Sequence, residues 1–137
     1  MEPKALLEEA GRGGFWSYAA GVAYQVITNY RVRGLTIDSR TMDLPMKKGL
    51  SSSAAICVLT ARAFNRVYDL KLTVRGEMEL AYQGEITTPS RCGRMDQGCA
   101  FGNRPVLMMF DGDRLDTEEL QVSQELHYVV VDLHAQK

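Results

Sequence analysis

The run Gly49-Leu50-Ser51-Ser52-Ser53-Ala54-Ala55 constrains this chain more than any other stretch. Consecutive serines after a glycine are turn and capping material, poor in a helix interior, whereas the alanines that follow are strong helix formers. Downstream, Ile56, Leu59, Ala63, Val67 and Leu70 recur at steps of three and four. That spacing predicts a helix from about Ser52 to Asp69 with this stripe buried. The helix must then begin within the serines, and its first N–H groups have no acceptor in a preceding turn. Such groups, at the positive end of a helix dipole, suit a phosphate. On the run alone, a plain N-cap with spare serines is the better reading.

The surrounding chain supplies a mixed context. Residues 3–10 predict a short helix, broken by Gly11-Arg12-Gly13-Gly14, and residues 15–30 a second one, with Trp16, Ala20, Ala23, Ile27 and Tyr30 on its core face. Leu35, Ile37, Met42 and Leu44 alternate loosely, predicting a strand or hairpin over 33–44 that Pro45 ends. Thr73 can cap a helix over 74–86, on which Val74, Met78, Ala81 and Glu85 share a face. An apolar face ending in a carboxylate aims that charge inward. Residues 87–94 read as a loop, 95–100 as a helical turn, 104–110 as a strand, 111–113 as a turn and 126–133 as a second strand. Residues 115–125 are polar and receive no element. This order favours an α+β fold over a doubly wound parallel sheet, in one domain spanning 1–137.

Composition narrows the function classes. A formal net charge of -1 argues against a broad nucleic-acid surface. Cys57, Cys92 and Cys99 form no paired metal spacing, and neither His127 nor His134 adds a zinc pattern. Reduced, intracellular thiols are the expectation. No apolar run approaches a membrane span and no signal-like start is present, so a soluble cytoplasmic protein without membrane or nucleic-acid partners is expected.

Three features together suggest a chemistry: the Gly49–Ser53 turn, the inward-facing Glu85, and Cys92-Gly93-Arg94-Met95-Asp96-Gln97, where a carboxylate follows a glycine loop. Phosphoryl transfer needs backbone donors for phosphate, oxygen ligands for Mg²⁺ and a carboxylate to position the attacking hydroxyl. A Walker A loop is excluded, because Lys47 and Lys48 precede the glycine and no Gly-Lys-Ser/Thr exists. No nucleophile elbow supports a serine amidase. Singly, Glu85 also fits a helix-end carboxylate, Asp96 a cap, and Cys92 a small residue tolerated in a tight loop.

Pro45-x-x-x-Gly49-Leu50-Ser51-Ser52-Ser53-Ala54-Ala55 resembles the phosphate-binding motif of the GHMP kinases, in its galactokinase form. Cys92-Gly93-x-Met95-Asp96-Gln97 is similarly galactokinase-like, and Trp16 and Tyr18 with Gly21-Val22 resemble the helix that precedes the motif in sugar kinases. The resemblance implies a two-layer α+β sandwich of the family's N-terminal-domain type, here incomplete, acting with ATP and Mg²⁺ on a small-molecule sugar. It implies that Gly49, Leu50, Ser51, Ser52 and Ser53 hold the nucleotide phosphates, that Ser53 and Glu85 ligate Mg²⁺, and that Asp96 is the catalytic aspartate. Gln97 receives no role. Galactokinases also carry an N-terminal Gly-Glu-His motif with an arginine and a late glycine-rich motif; this chain contains neither, and Arg91 and Arg94 make its aspartate loop unusually basic. A non-catalytic nucleotide- or sugar-binding regulator is therefore the competing expectation.

Overall fold

The computed structural model describes residues 2–44, 48–90, 92–102 and 104–131. Pro45, Lys47, Arg91, His134 and the last two residues of the strand expected over 126–133 lie outside them. The element order is α1 (Pro3–Gly11), α2 (Phe15–Asn29), α3 (Ser52–Tyr68), α4 (Val74–Glu85), a 3-10 segment (Asp96–Phe101), and strands β1 (Val106–Asp111) and β2 (Arg114–Glu119). Pro3 opens α1, where its missing N–H costs nothing. Thr73 caps α4 as the sequence predicts, its hydroxyl accepting from the Gly76 N–H at 3.2 Å.

The core lies between α2, α3 and α4. Val22, Ala23 and Val26 meet Cys57, Val58, Ala61 and Phe64, and Met78, Leu80 and Ala81 close the third side. Phe64 alone, 2% exposed, contributes about 2–3 kcal/mol through burial. Small residues let α2 and α4 touch backbone to backbone. A Cβ added at Gly84 would lie 2.6 Å from the Val22 Cα and N, and one at Gly21 would collide with the Gly84 carbonyl.

The packed helices bury stripes other than those expected from sequence. Leu59 and Val67 are 63% and 65% exposed, and α3 instead buries Ala54, Cys57, Val58, Ala61 and Phe64. Trp16 is 62% exposed, while Ala20 and Ala23 are buried as expected. On α3 the buried face includes Val58 and Phe64, so which stripe turns inward is decided by the helices it packs on and not by side-chain size.

The sheet is a two-stranded antiparallel hairpin, β1 on β2, in register from Val106 opposite Glu119 to Asp111 opposite Arg114. The polar stretch given no element in sequence thus supplies β2. Conversely, the expected strand over 33–44 has no ladder partner in the described residues and runs as irregular chain, held where the Tyr68 hydroxyl donates to the Gly34 carbonyl at 2.6 Å. Residues 126–131 likewise form no strand, with Val129 90% exposed. Alternation and β-branching make a segment fit for pairing, but a strand exists only against a neighbour. The fold is α+β, with helices carrying the core and a small hairpin at its edge.

Candidate active site

Two helix N-termini open into one cavity of about 470 Å³. Gly13, Gly14, Phe15 and Tyr18 form one wall at the start of α2; Gly49, Ser51, Ser52, Ser53 and Ile56 form the other at the start of α3; Ser90 closes a third side. The volume falls within the range of small-molecule sites.

Local folding places each wall. At α3, Gly49 and Ser51 both take positive φ, 79° and 53°, so the chain turns sharply into the helix. The Ser51 carbonyl accepts the first intrahelical bond, from the Ala55 N–H at 3.1 Å. The amides of Ser52, Ser53 and Ala54 precede that bond and have no helical acceptor. The Ser51 side chain makes no cap bond. At α2, the buried Ser17 hydroxyl donates to the Glu9 carbonyl at 2.8 Å, fastening this end of the helix to α1. Gly14 caps α2 without a side chain. Gly13, at φ 74°, lets the turn pack on Pro89, which a Cβ would approach to 3.3 Å, and this brings Ser90 alongside.

Of the residues singled out in sequence, Gly49, Ser51, Ser52 and Ser53 line this cavity; Leu50, Glu85 and Asp96 do not. Leu50 is 41% exposed. Glu85 points inward as its helical face predicts and is 1% exposed. Its Oε2 accepts from Gln97 Nε2 at 2.7 Å, and among the described residues no Lys or Arg pairs with it. Asp96 is half-buried at the start of the 3-10 segment.

That segment is bolted down from both sides. Arg62 on α3 donates to the Ala100 carbonyl at 2.7 Å and to Glu77 Oε2 at 2.8 Å, while Gln97 reaches Glu85 on α4. Arg94 lies over the Tyr82 ring at 4.9 Å and pairs with Glu79 at 3.5 Å on α4 and with Asp113 at 3.9 Å in the hairpin turn, so its charge is shared between α4 and the hairpin. Burial pushes the Cys57 thiol far up, with the Glu85 charge adding to it; burial also raises Cys92, against a hydrogen bond from Gln97. Both thiols are held neutral, which suits packing and not nucleophilic chemistry.

The Ser53 hydroxyl on the cavity wall and the Glu85 carboxylate off it are both hard oxygens of the kind Mg²⁺ takes, and beside Glu85 the Gln97 Oε1 is buried and without a hydrogen-bond partner. Among the described residues no cluster of three His, Cys, Asp or Glu could hold a metal unaided. A cation here would therefore draw most of its ligands from phosphate and water, as Mg²⁺ ordinarily does.

Sequence reasoning missed Gly13, Gly14, Tyr18 and Ser90 as cavity residues, and Gln97 as Glu85's partner. The glycine pair directly before a helix was a usable signal, being the same device as Gly49. Nothing in the linear pattern marks Gln97 as buried.

The profile described as GHMP kinases N terminal domain matches residues 17–103, and the chain belongs to the GHMP kinase family. It is similar to the galactokinase of Thermococcus kodakarensis, at 33% identity over 131 residues, 90% of this chain and 36% of that protein. The galactokinase of Pyrococcus furiosus is 29% identical over 135 residues, 94% of this chain and 38% of its own length. That of Thermotoga petrophila is 32% identical over 106 residues, 73% and 30% respectively. The chain thus spans about a third of the length of these relatives. No solved structure matches it. No helix among the described residues is long and apolar enough to cross a membrane.

Proposed function

We propose that this chain, read as one nucleotide-binding domain of the family's two-layer N-terminal type, is the phosphate-loop part of an ATP-dependent, cytoplasmic sugar kinase. The observation that carries the proposal is the cavity where two uncapped helix N-termini meet, lined by Ser51, Ser52 and Ser53. Free amides there bind the β and γ phosphates of ATP. Gly49 and Leu50 shape the turn that presents them. Ser53 and Glu85 would hold Mg²⁺, which when bound would supply positive charge to offset that of the phosphate oxygens. Asp96 receives the proton of the sugar hydroxyl that attacks the γ phosphate, and the Arg62 and Gln97 bonds fix the segment that presents it.

Titration of the chain with ATP and Mg²⁺, followed by a screen of free sugars for ADP release, tests the reading. Asp96→Asn is expected to cut turnover by about 10²–10⁴-fold, with ATP affinity within about twofold of wild type. Comparable turnover in that variant removes Asp96 from the reaction. Failure of the wild type to bind ATP removes the phosphate assignment. Asp96 and Glu85 stand off the cavity wall, which favours a second reading, a nucleotide-binding regulator that keeps the fold. Tight ATP binding with no sugar phosphorylated is its signature.

A further inference from the structure

We propose that Gln97 is a positioning residue for the metal-side carboxylate: its amide N–H fixes Glu85, and its own carbonyl oxygen is kept free for the water shell of a bound divalent cation. The inference rests on the reading of Glu85 as a Mg²⁺ ligand and extends it to a residue outside the catalytic and phosphate sets.

Gln97 is 0% exposed, and Glu85 beside it is 1% exposed. Gln97 Nε2 lies 2.7 Å from Glu85 Oε2 and 3.4 Å from Cys92 Sγ. The orientation of the amide is set by chemistry, because a carboxylate accepts only, and reversing the amide would place acceptor against acceptor. Oε1 is then directed away from Glu85 Oε2, and it is the one buried side-chain oxygen or nitrogen among the described residues that lacks a partner. Among the described residues, a buried carboxylate with no Lys or Arg paired to it and a buried carbonyl with no donor thus stand on neighbouring side chains. Each lacks what a hydrated divalent cation supplies: positive charge for the carboxylate, water O–H for the carbonyl. Were Gln97 only a packing residue, an apolar side chain of the same length would fill the space without an orphaned oxygen. Partners that orient a ligating carboxylate typically change metal affinity by about 10- to 100-fold when removed.

The test measures ATP affinity by calorimetry twice for each protein, with Mg²⁺ and with chelator alone, and reads the ratio. The expected result is that Gln97→Met reduces the Mg²⁺-dependent gain in affinity about tenfold while metal-free ATP binds as in wild type. A merely structural role would lower both affinities together. Because removing the donor from a buried carboxylate risks unfolding, Gln97→Asn, whose amide is too short to reach Glu85, is measured beside it and is expected to lose the gain as well. Retention of the gain by either folded Gln97 variant, with its loss in Glu85→Gln, overturns the role of Gln97 and leaves Glu85 as the ligand. Retention of the gain in Glu85→Gln overturns the underlying reading and this inference with it.

Discussion

Ser51 is the residue at which turn, cap and strain coincide. Its φ of 53° is left-handed, a region that costs a residue with a Cβ about 1–2 kcal/mol. Serine is ordinarily chosen at an N-cap for the bond its hydroxyl makes, yet here that bond is absent. The strain therefore has no local compensation, which is common where backbone is held ready for a ligand. Glycine would adopt the same angles freely and lose no cap bond. Ser51→Gly is expected to stabilise the chain by about 1 kcal/mol, read as a raised urea midpoint at unchanged slope. Since the adjacent amides are backbone groups, ATP affinity should stay within about twofold. A lowered midpoint would show that the serine hydroxyl makes a bond in solution that this geometry does not contain.

Among the elements, the crossing of α2 and α4 sets everything else. Gly21 and Gly84 let the backbones meet, and that contact brings Glu85, the residue after Gly84, into the interior beside Gln97. An alanine at Gly84 would drive its methyl into Val22 backbone at 2.6 Å, an obstacle that no rotamer change removes. Gly84→Ala should cost about 3 kcal/mol, measured by thermal melting. Gly11→Ala, whose Cβ would meet nothing within 4 Å at the end of α1, should be neutral or stabilising by up to about 1 kcal/mol. Equal melting points for the two variants would refute the close crossing. This crossing also marks where sequence reading ran out. The helices themselves were legible, since periodicity, Thr73 and the glycine breaks are local signals. The inward aim of Glu85 was legible too, from its place on the Met78–Ala81 face. Which stripe of α3 is buried was not, because Leu59 and Val67 satisfy the same period as Cys57, Ala61 and Phe64. Only the facing surface chooses between them, and that surface comes from other helices, Val22, Ala23 and Val26 of α2 with Met78 and Ala81 of α4.

At the scale of the whole molecule, the sheet and the site were readable to different degrees for one physical reason. Four of the five residues of the run from Gly49 to Ser53 share one cavity because they are contiguous, so a local motif suffices. Strand partners, and the neighbours Gln97 and Ser90, come from distant chain, so alternation at 33–44 or 126–131 could not reveal whether anything lies alongside. The charge balance of the interior follows the same logic of distant neighbours. Cys57 on α3 is fully buried, and the Glu85 charge from α4 adds to the effect of burial in raising its pKa above the ordinary 9.0. The unfolded thiol ionises near that ordinary value while the folded one keeps its proton. Below about pH 9 the group makes no difference between the states; above it the unfolded chain releases a proton that the folded chain retains, and stability falls. The expected slope from this one thiol is a loss of about 1.4 kcal/mol per pH unit above pH 9. Urea unfolding between pH 7.5 and 10.5, as roughly spaced points across that window, reads the slope. Cys57→Ala supplies the comparison, since it removes the thiol and leaves every other titrating group in place. Its curve should be flatter above pH 9 by that amount, whatever its offset at neutral pH. Parallel curves for the two proteins would mean that the thiol ionises as easily in the folded chain as in the unfolded one, and that the interface of α3 with α4 admits water at Cys57.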